Sequence, residues 1–320
     1  MGLKRLFTKR VNIVLVLLLA FIPISYFVQI IMQMLYTVIP KTVLADYDFV
    51  FSFAVPQFLY PVLVLIFALI CIPRVLNIKT DNMVSVKKKF PVSDTILTVC
   101  IFLGASVFLN YITNYLSLVI NSLLGFSAVP DYTELFASPS NWYETILNFI
   151  VVALLPAVCE EIVYRGLIIG SLKPLNKRWA IIVSALAFGF MHGTAQQIPA
   201  AVIMGLFLGY LYVKFESIIM VITIHFINNS ITCIFNAIEL YCNDNIYEMV
   251  NVITAVAVIF AGIMSVILYI IKHSRDKKSQ VGPLNNSEAM SAALSAPSLW
   301  CYLIIYTMIT VINTISMNMI

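Results

Sequence analysis

Long apolar runs are the feature that most constrains how this chain can fold. A transmembrane helix needs about 20 predominantly apolar residues, and runs of this order recur along the whole 320-residue sequence. Nine can be separated, at residues 11–39, 49–72, 95–124, 142–170, 179–195, 198–213, 217–238, 250–271 and 299–320. The fifth and sixth are short, so they predict either a tight hairpin or two partial spans. The sequence therefore predicts an all-α polytopic transmembrane helical bundle of about eight or nine spans.

The composition agrees with a membrane protein. Hydrophobic residues make up 61% of the chain and charged residues 11%, against about 45–50% and about 25% in soluble domains. The net charge of +4 is small and scattered, so we expect membrane lipid as a partner and no nucleic acid. The six cysteines form no Cys-x-x-Cys pair and are interpreted as small apolar side chains. Low charge, abundant Ile and Asn and the lack of a targeting signal are compatible with an integral protein of the bacterial plasma membrane.

The charged loops predict a cytoplasmic N-terminus, because basic loops stay on the cytoplasmic side. With that orientation the cytoplasmic loops hold Arg74, Lys79, Lys87 to Lys89, Lys173, Lys177, Arg178, Lys214, Lys272, Arg275, Lys277 and Lys278. The opposite loops hold Asp46, Asp48, Asp131, Glu134, Glu239, Asp244 and Glu248, with Lys41 as their one base. The first three runs then form an N-terminal transmembrane region, residues 1–130. The last two lie in residues 250–320, separated at 274–297 by a Ser-, Asn-, Ala- and Lys-rich segment that predicts a flexible linker.

A short set of polar side chains remains inside the apolar runs. Ionisable groups there are costly unless they are paired, so they usually have functional roles. The set consists of Glu160, Glu161, Arg165, His192 and His225, with Asn228 and Asn229 beside them. Glu161 and Arg165 have the spacing of an acid and a base that pair across one helical turn. Glu160 points about 100° away, which leaves it available as a general base; a salt-bridge cluster that only locks helix packing is the alternative.

The two histidines and Asn229 lie on other apolar runs. A lone histidine in an apolar helix is usually a hydrogen-bonded core residue, and His225 and Asn229, four residues apart, could equally join helices through hydrogen bonds. At 1.5 Å per residue, however, all these side chains and Glu160 lie roughly 12 to 20 Å from the cytoplasmic helix ends. A carboxylate, two imidazoles and an amide at one depth can carry out a hydrolysis, with a base for water and donors for an oxyanion.

Three segments carry a family resemblance. They read E-E-I-V-Y-R at 160–165, F-G-F-M-H at 188–192 and H-F-I-N-N at 225–229. In this order they resemble the motifs E-E-x-x-x-R, F-x-x-x-H and H-x-x-x-N of the CAAX protease and bacteriocin-processing (CPBP, or Abi) family of intramembrane glutamic endopeptidases, which includes the type II CAAX prenyl proteases. The resemblance covers roughly residues 140–240, so we expect a CAAX protease-like catalytic core there. His-Glu-x-x-His, Gly-x-Gly-Asp and Gly-x-Ser-x-Gly motifs are all missing from the sequence.

The resemblance implies a role for each matching residue. Glu160 would be the general base, His192 would help to polarise the water, His225 and Asn229 would donate to the oxyanion, and Glu161 and Arg165 would support them. The substrate would be a peptide or lipidated protein, cut near the cytoplasmic side. The resemblance implies no cofactor, although members are often described as metalloendopeptidases, and Glu160, His192 and His225 are the alternative ligands for zinc.

Two other functions remain open from the residues alone. A catalytically silent bacteriocin-immunity or scaffold protein could use the same side chains for packing. A transporter could use Glu160 to carry protons or cations.

Overall fold

The computed structural model describes residues 2–86, 91–124, 139–274 and 282–317. Every regular element in these ranges is helical and none is a strand, which confirms the all-α bundle. The helices are α1 (Leu3–Leu19), α2 (Phe21–Val38), α3 (Lys41–Asp46), α4 (Val55–Leu76), α5 (Val92–Leu124), α6 (Trp142–Asn148), α7 (Leu155–Glu161), α8 (Gly170–Leu172), α9 (Lys177–Met191), α10 (Gln197–Phe215), α11 (Ile218–Tyr241), α12 (Asp244–His273), α13 (Asn286–Leu294) and α14 (Pro297–Met317). A 3-10 turn spans Thr80–Asn82, and π-helical segments span Phe49–Ala54, Phe149–Leu154 and Ile162–Ile169.

Eight helical stretches within the described ranges are long and apolar enough to cross a membrane. They are Leu3–Val38, Phe49–Leu76, Val92–Val119, Trp142–Leu172, Gln197–Phe215, Ile218–Tyr241, Asn245–His273 and Pro297–Ile315. The fifth apolar run of the sequence is not among them. Its helix, α9, has 15 residues and is therefore about 22 Å long, shorter than the hydrocarbon core of about 30 Å.

Helix α9 is short and lies inside the bundle. It packs mainly against α10, the π-helical segment Ile162–Ile169, α13 and α14. Val183, Ala185 and Ala187 are almost completely buried. Small residues allow this close packing, since a Cβ atom at Gly205 of α10 would lie only 3.1 Å from the Cα atom of Ala185. The α9–α10 hairpin therefore holds the end of α9, where the half-buried His192 lies, against the rest of the bundle.

Several segments predicted to belong to basic loops meet at one end of the bundle. Arg10 Nη1 donates to the carbonyl of Ser171 at 2.6 Å. The hydroxyl of Tyr212 donates to the carbonyl of Met83 at 2.9 Å, and Lys173 Nζ lies 4.9 Å from the centroid of the Tyr212 ring. The N-terminal half of α1, the loop after α4, the end of α8 and the end of α10 thus lie close together at one end of the bundle. The predicted loop residues Lys87 to Lys89, Asp131, Glu134, Arg275, Lys277 and Lys278 lie outside the described residues.

The segment predicted as a flexible linker, residues 274–297, contains helix α13. Asn285 and Glu288 form a capping box at its N-terminus, and the carbonyl of Leu175 accepts a hydrogen bond from the Leu284 amide at 3.1 Å. Ala289, Ala292 and Ala293 are fully buried. Their i, i+3, i+4 spacing makes a narrow apolar stripe that packs on α1 and α9, and composition alone did not reveal it. The prediction is therefore corrected for residues 286–294, while residues 275–281 are outside the described ranges.

The crossing of α5 and α12 yields a prediction about stability. A Cβ atom at Gly262 would lie 2.9 Å from Gly104 Cα and 3.1 Å from the carbonyl oxygen of Cys100. We expect Gly262→Val to force the helices apart and to lower the free energy of unfolding by about 1–3 kcal/mol. Ala261→Val adds volume at the exposed neighbouring position and is the control. Thermal unfolding in detergent should separate the variants; equal midpoints would show that the contact does not limit helix packing.

Candidate active site

Two π-helical segments flank the short helix α7, which carries both glutamates. Phe149–Leu154 precedes it and Ile162–Ile169 follows it within one continuous helical stretch. Such π-helical turns often occur at functional sites, because they change the direction in which the next side chains point. Here the consecutive glutamates differ in environment, since the side chain of Glu161 is fully buried while that of Glu160 is 21% exposed.

Glu161 is the centre of a buried ionic network. Its Oε1 atom lies 2.9 Å from Arg165 Nη1 and 2.8 Å from His225 Nδ1. Glu161 and Arg165 are completely inaccessible to solvent and the His225 side chain is 9% exposed. The carboxylate therefore joins α7, the following π-helical segment and α11, and it orients the imidazole of His225.

The Arg165 guanidinium is held mainly by charge and by an aromatic face. Its Cζ atom lies 4.5 Å from the centroid of the Phe188 ring, a cation–π arrangement. No guanidinium nitrogen makes a well-aligned hydrogen bond with any described residue, and Glu161 Oε2 also has no such partner. Glu161 is thus the nearest charge that compensates Arg165.

Glu160 faces a small cavity between α4 and α7. The cavity has a volume of about 110 Å³ and is lined by Gln57, Tyr60, Pro61, Val64, Pro156, Cys159, Glu160, Val163, Tyr164 and Met191. This volume is large enough for water. His225 Nε2 lies 3.9 Å from Glu160 Oε2, beyond hydrogen-bond distance. Glu160 is therefore next to the ionic network without forming a hydrogen bond to His225.

His192 caps the C-terminal end of α9, one residue after Met191. Its Nδ1 atom lies 2.9 Å from the Phe188 carbonyl oxygen. Since a carbonyl can only accept, Nδ1 carries the hydrogen, and the neutral ring has an accepting lone pair on Nε2. The Phe188 ring packs edge-to-face against both histidines, with its centroid 4.9 Å from that of His192 and 6.1 Å from that of His225.

The amide of Asn229 is fixed by two hydrogen bonds. Nδ2 donates to the Val152 carbonyl in the first π-helical segment at 3.3 Å, and Oδ1 accepts from Asn228 Nδ2, also at 3.3 Å. One N–H of the Asn229 amide remains for another acceptor. Of the two adjacent asparagines, Asn228 therefore orients Asn229.

Sequence reasoning missed the residues of α4 that line the cavity. Gln57 and Tyr60 are three positions apart in the second apolar run, so they lie on one helix face. Both are uncharged, and a search for charged side chains in apolar runs passes over them. The signal that could have identified this side of the cavity is a neutral polar residue with a second hydrogen-bonding residue one helical turn away.

Glu160, His192 and His225 are the alternative zinc ligands suggested by the sequence. Among the described residues, no three His, Cys, Asp or Glu side chains are arranged so that they could hold a metal ion. The residues therefore do not fit a preformed three-ligand zinc centre.

A comparison with known protein families matches the part of the chain that carries these residues. Residues 142–231 match the family described as type II CAAX prenyl endopeptidase Rce1-like. No curated protein and no solved structure matches the chain at a significant level. The matched range includes Glu160, Glu161, Arg165, His192, His225 and Asn229. Residues 142–231 of this integral membrane protein are therefore similar to the type II CAAX prenyl endopeptidase Rce1-like family.

Proposed function

We propose that this protein is an intramembrane endopeptidase in which Glu160 activates water for attack on a peptide bond. The observation that carries the proposal is the division between the two glutamates. Glu161 is compensated by Arg165 and oriented against His225, whereas Glu160 lies beside a cavity that can admit water. A carboxylate with access to water and no cationic partner in hydrogen-bond contact is suited to accept a proton.

The proposed reaction begins when Glu160 removes a proton from water and the oxygen attacks the peptide carbonyl carbon. His192 Nε2 accepts a hydrogen bond from the other O–H of that water, which stays on the attacking oxygen, and so orients it. The carbonyl oxygen becomes an oxyanion, and His225 Nε2–H and Asn229 Nδ2–H donate hydrogen bonds to it. When the carbon–nitrogen bond breaks, the leaving amine takes the proton from Glu160. Water is consumed and the carboxylate of Glu160 is restored.

The charges of the cluster support this assignment for His225. With Nδ1–H bonded to Glu161, Nε2 can donate only if the ring is an imidazolium. The two glutamates, Arg165 and a protonated His225 then carry no net charge together. A neutral group of paired charges is the arrangement that a low-dielectric interior tolerates best.

We propose membrane-associated peptides or prenylated proteins as substrates, cleaved near the cytoplasmic side of a bacterial plasma membrane. The family supports a CAAX-type peptide in general. The orientation follows from the basic loops, some of which meet at one end of the bundle. The substrate class is tested by measuring cleavage by the purified full chain in detergent. The substrates are peptides ending in Cys-aliphatic-aliphatic-X, each with and without a farnesyl group.

Replacing Glu160 tests the base. We expect Glu160→Gln to lower kcat about 10²- to 10⁴-fold, because the amide cannot accept the proton of water. Glu239→Gln makes the same chemical change at an exposed position of α11 and should leave cleavage unchanged. Mass spectrometry of the products measures both. If Glu160→Gln remains folded and retains full cleavage, Glu160 is not the base. If the wild-type protein itself cleaves no peptide, the alternative of a catalytically silent immunity or scaffold protein is favoured.

Replacing Glu161 should instead destabilise the fold. Glu161→Gln leaves the buried Arg165 uncompensated, and breaking one partner of a buried ion pair costs about 3–5 kcal/mol. Thermal unfolding in detergent measures this loss. Glu160→Gln, the same change one residue earlier on a partly exposed side chain, is the matched control, and a similar midpoint for the two variants would contradict the proposed division of roles.

We propose a reaction that needs no metal, and chelation tests this. Activity should survive prolonged treatment with EDTA or 1,10-phenanthroline, followed by gel filtration into metal-free buffer. Elemental analysis of the active fraction should find less than one zinc per chain. Loss of cleavage on chelation that returns when zinc is added would assign Glu160, His192 and His225 to a metal site.

A further inference from the structure

The last helix, α14, lies outside the matched range and contacts α9 on both sides of the segment 188–192. The hydroxyl of Tyr302 donates to the Ala187 carbonyl at 2.8 Å, and Asn313 Nδ2 donates to the Gly193 carbonyl at 3.0 Å. Tyr302 is completely buried. One bond therefore precedes Phe188 and the other follows His192, so α14 holds the backbone at both ends of this segment.

The position of His192 depends on how α9 ends. The Gly193 amide bonds back to the Phe190 carbonyl at 3.2 Å, and Gly193 has a left-handed φ of +66°, as is common just beyond a helix end. The carbonyl of Gly193 lies just beyond the end of α9, where carbonyl groups have no hydrogen-bond donor within the helix. Asn313 of α14 supplies its partner.

Helix α5 holds the same turn from another direction. Gln196 Nε2 donates to Ser117 Oγ at 2.7 Å in a buried contact. The turn after His192 is thus tied to α14 at Gly193 and to α5 at Gln196. Since the side chain of His192 is itself bonded to Phe188, both its backbone and its ring orientation are fixed.

We propose that Asn313 and Tyr302 are positioning residues for His192, so that α14 contributes to catalysis by fixing the position of this imidazole. The inference rests on the proposed function, in which His192 orients the attacking water. Misplacement of a reacting group by about 1 Å can cost about 100-fold in rate. Hydrogen bonds that fix the end of α9 therefore affect the chemical step although they touch no substrate.

Simple helix association is the competing explanation, because asparagine and tyrosine also join helices in membranes through hydrogen bonds. The two explanations predict different effects of losing these hydrogen bonds when His192 has also been replaced. If the bonds only hold helices together, their loss should lower stability and act in the same way whether or not His192 is present. If they position His192, their loss should have no further effect once that imidazole is removed.

The first experiment is a double-mutant cycle on the full chain, with the peptide that the wild type cleaves fastest. Asn313→Leu should lower kcat about tenfold or more and change KM little, and it should cause no additional loss in a His192→Gln background. Tyr302→Phe removes only a hydroxyl and gives a second, milder variant. Thr307→Val is the control, because Thr307 is an exposed α14 residue that bonds only within its own helix. Unchanged kcat in both variants, or equal losses with and without His192, overturns the proposal.

The second experiment observes His192 directly and does not require cleavage. The chain has only three histidines, so ¹³Cε1-labelled histidine gives three NMR signals, and His192→Gln assigns one of them. Asn313→Leu should shift or broaden the His192 signal and leave that of His273 unchanged. If the wild type cleaves no peptide, the proposed function fails while this signal still decides on positioning. An unchanged His192 signal in folded Asn313→Leu and Tyr302→Phe overturns the proposal.

Discussion

Burial of the charges of Glu161 and Arg165 is the constraint on which the site depends. Both side chains are inaccessible to solvent, and removing charges from water costs several kcal/mol per ion unless each has a partner. The pair brings α7 and the following π-helical segment into one fixed geometry, and His225 extends it to α11. Phe188 adds an aromatic face from α9. Four parts of the chain thus meet around one ion pair, beside the cavity that Glu160 lines.

The short length of α9 has a functional meaning in this arrangement. A helix of full spanning length would place its C-terminal residue at the far surface, whereas 15 residues extend only about 22 Å. His192 lies at this C-terminal end and is half-buried, and the chain turns back through Gly193 into α10. Such a turn inside a membrane is tolerated where its backbone groups find partners in the protein. Asn313 supplies such a bond to the Gly193 carbonyl, and the side chain of Gln196 holds the turn to Ser117 of α5.

Much of this organisation could be predicted from the sequence, because it follows from local rules. Apolar runs predicted the helices, and the spacing of Glu161 and Arg165 predicted their pair. The preference of His225 Nδ1 for Glu161 over Glu160 could not be predicted, since it depends on two π-helical segments that change the helix register. Gln57 was missed because its amide is uncharged and a search for charged residues in apolar runs does not find it. Helix α13 was missed because its three buried alanines lie in a segment that is polar in composition.

The doublet of glutamates has a physical reason in this geometry. If only one carboxylate were present, Arg165 and His225 would both compensate it, and a group so strongly stabilised as an anion would be a poor acceptor for the proton of water. Consecutive residues on a helix point about 100° apart, so the chain can direct one carboxylate into the network and the other toward the cavity. The buried glutamate then neutralises Arg165 and orients His225, which leaves Glu160 free for chemistry. The buried ionic network and Glu160 can therefore lie side by side, and Glu160 keeps its ability to accept a proton from water.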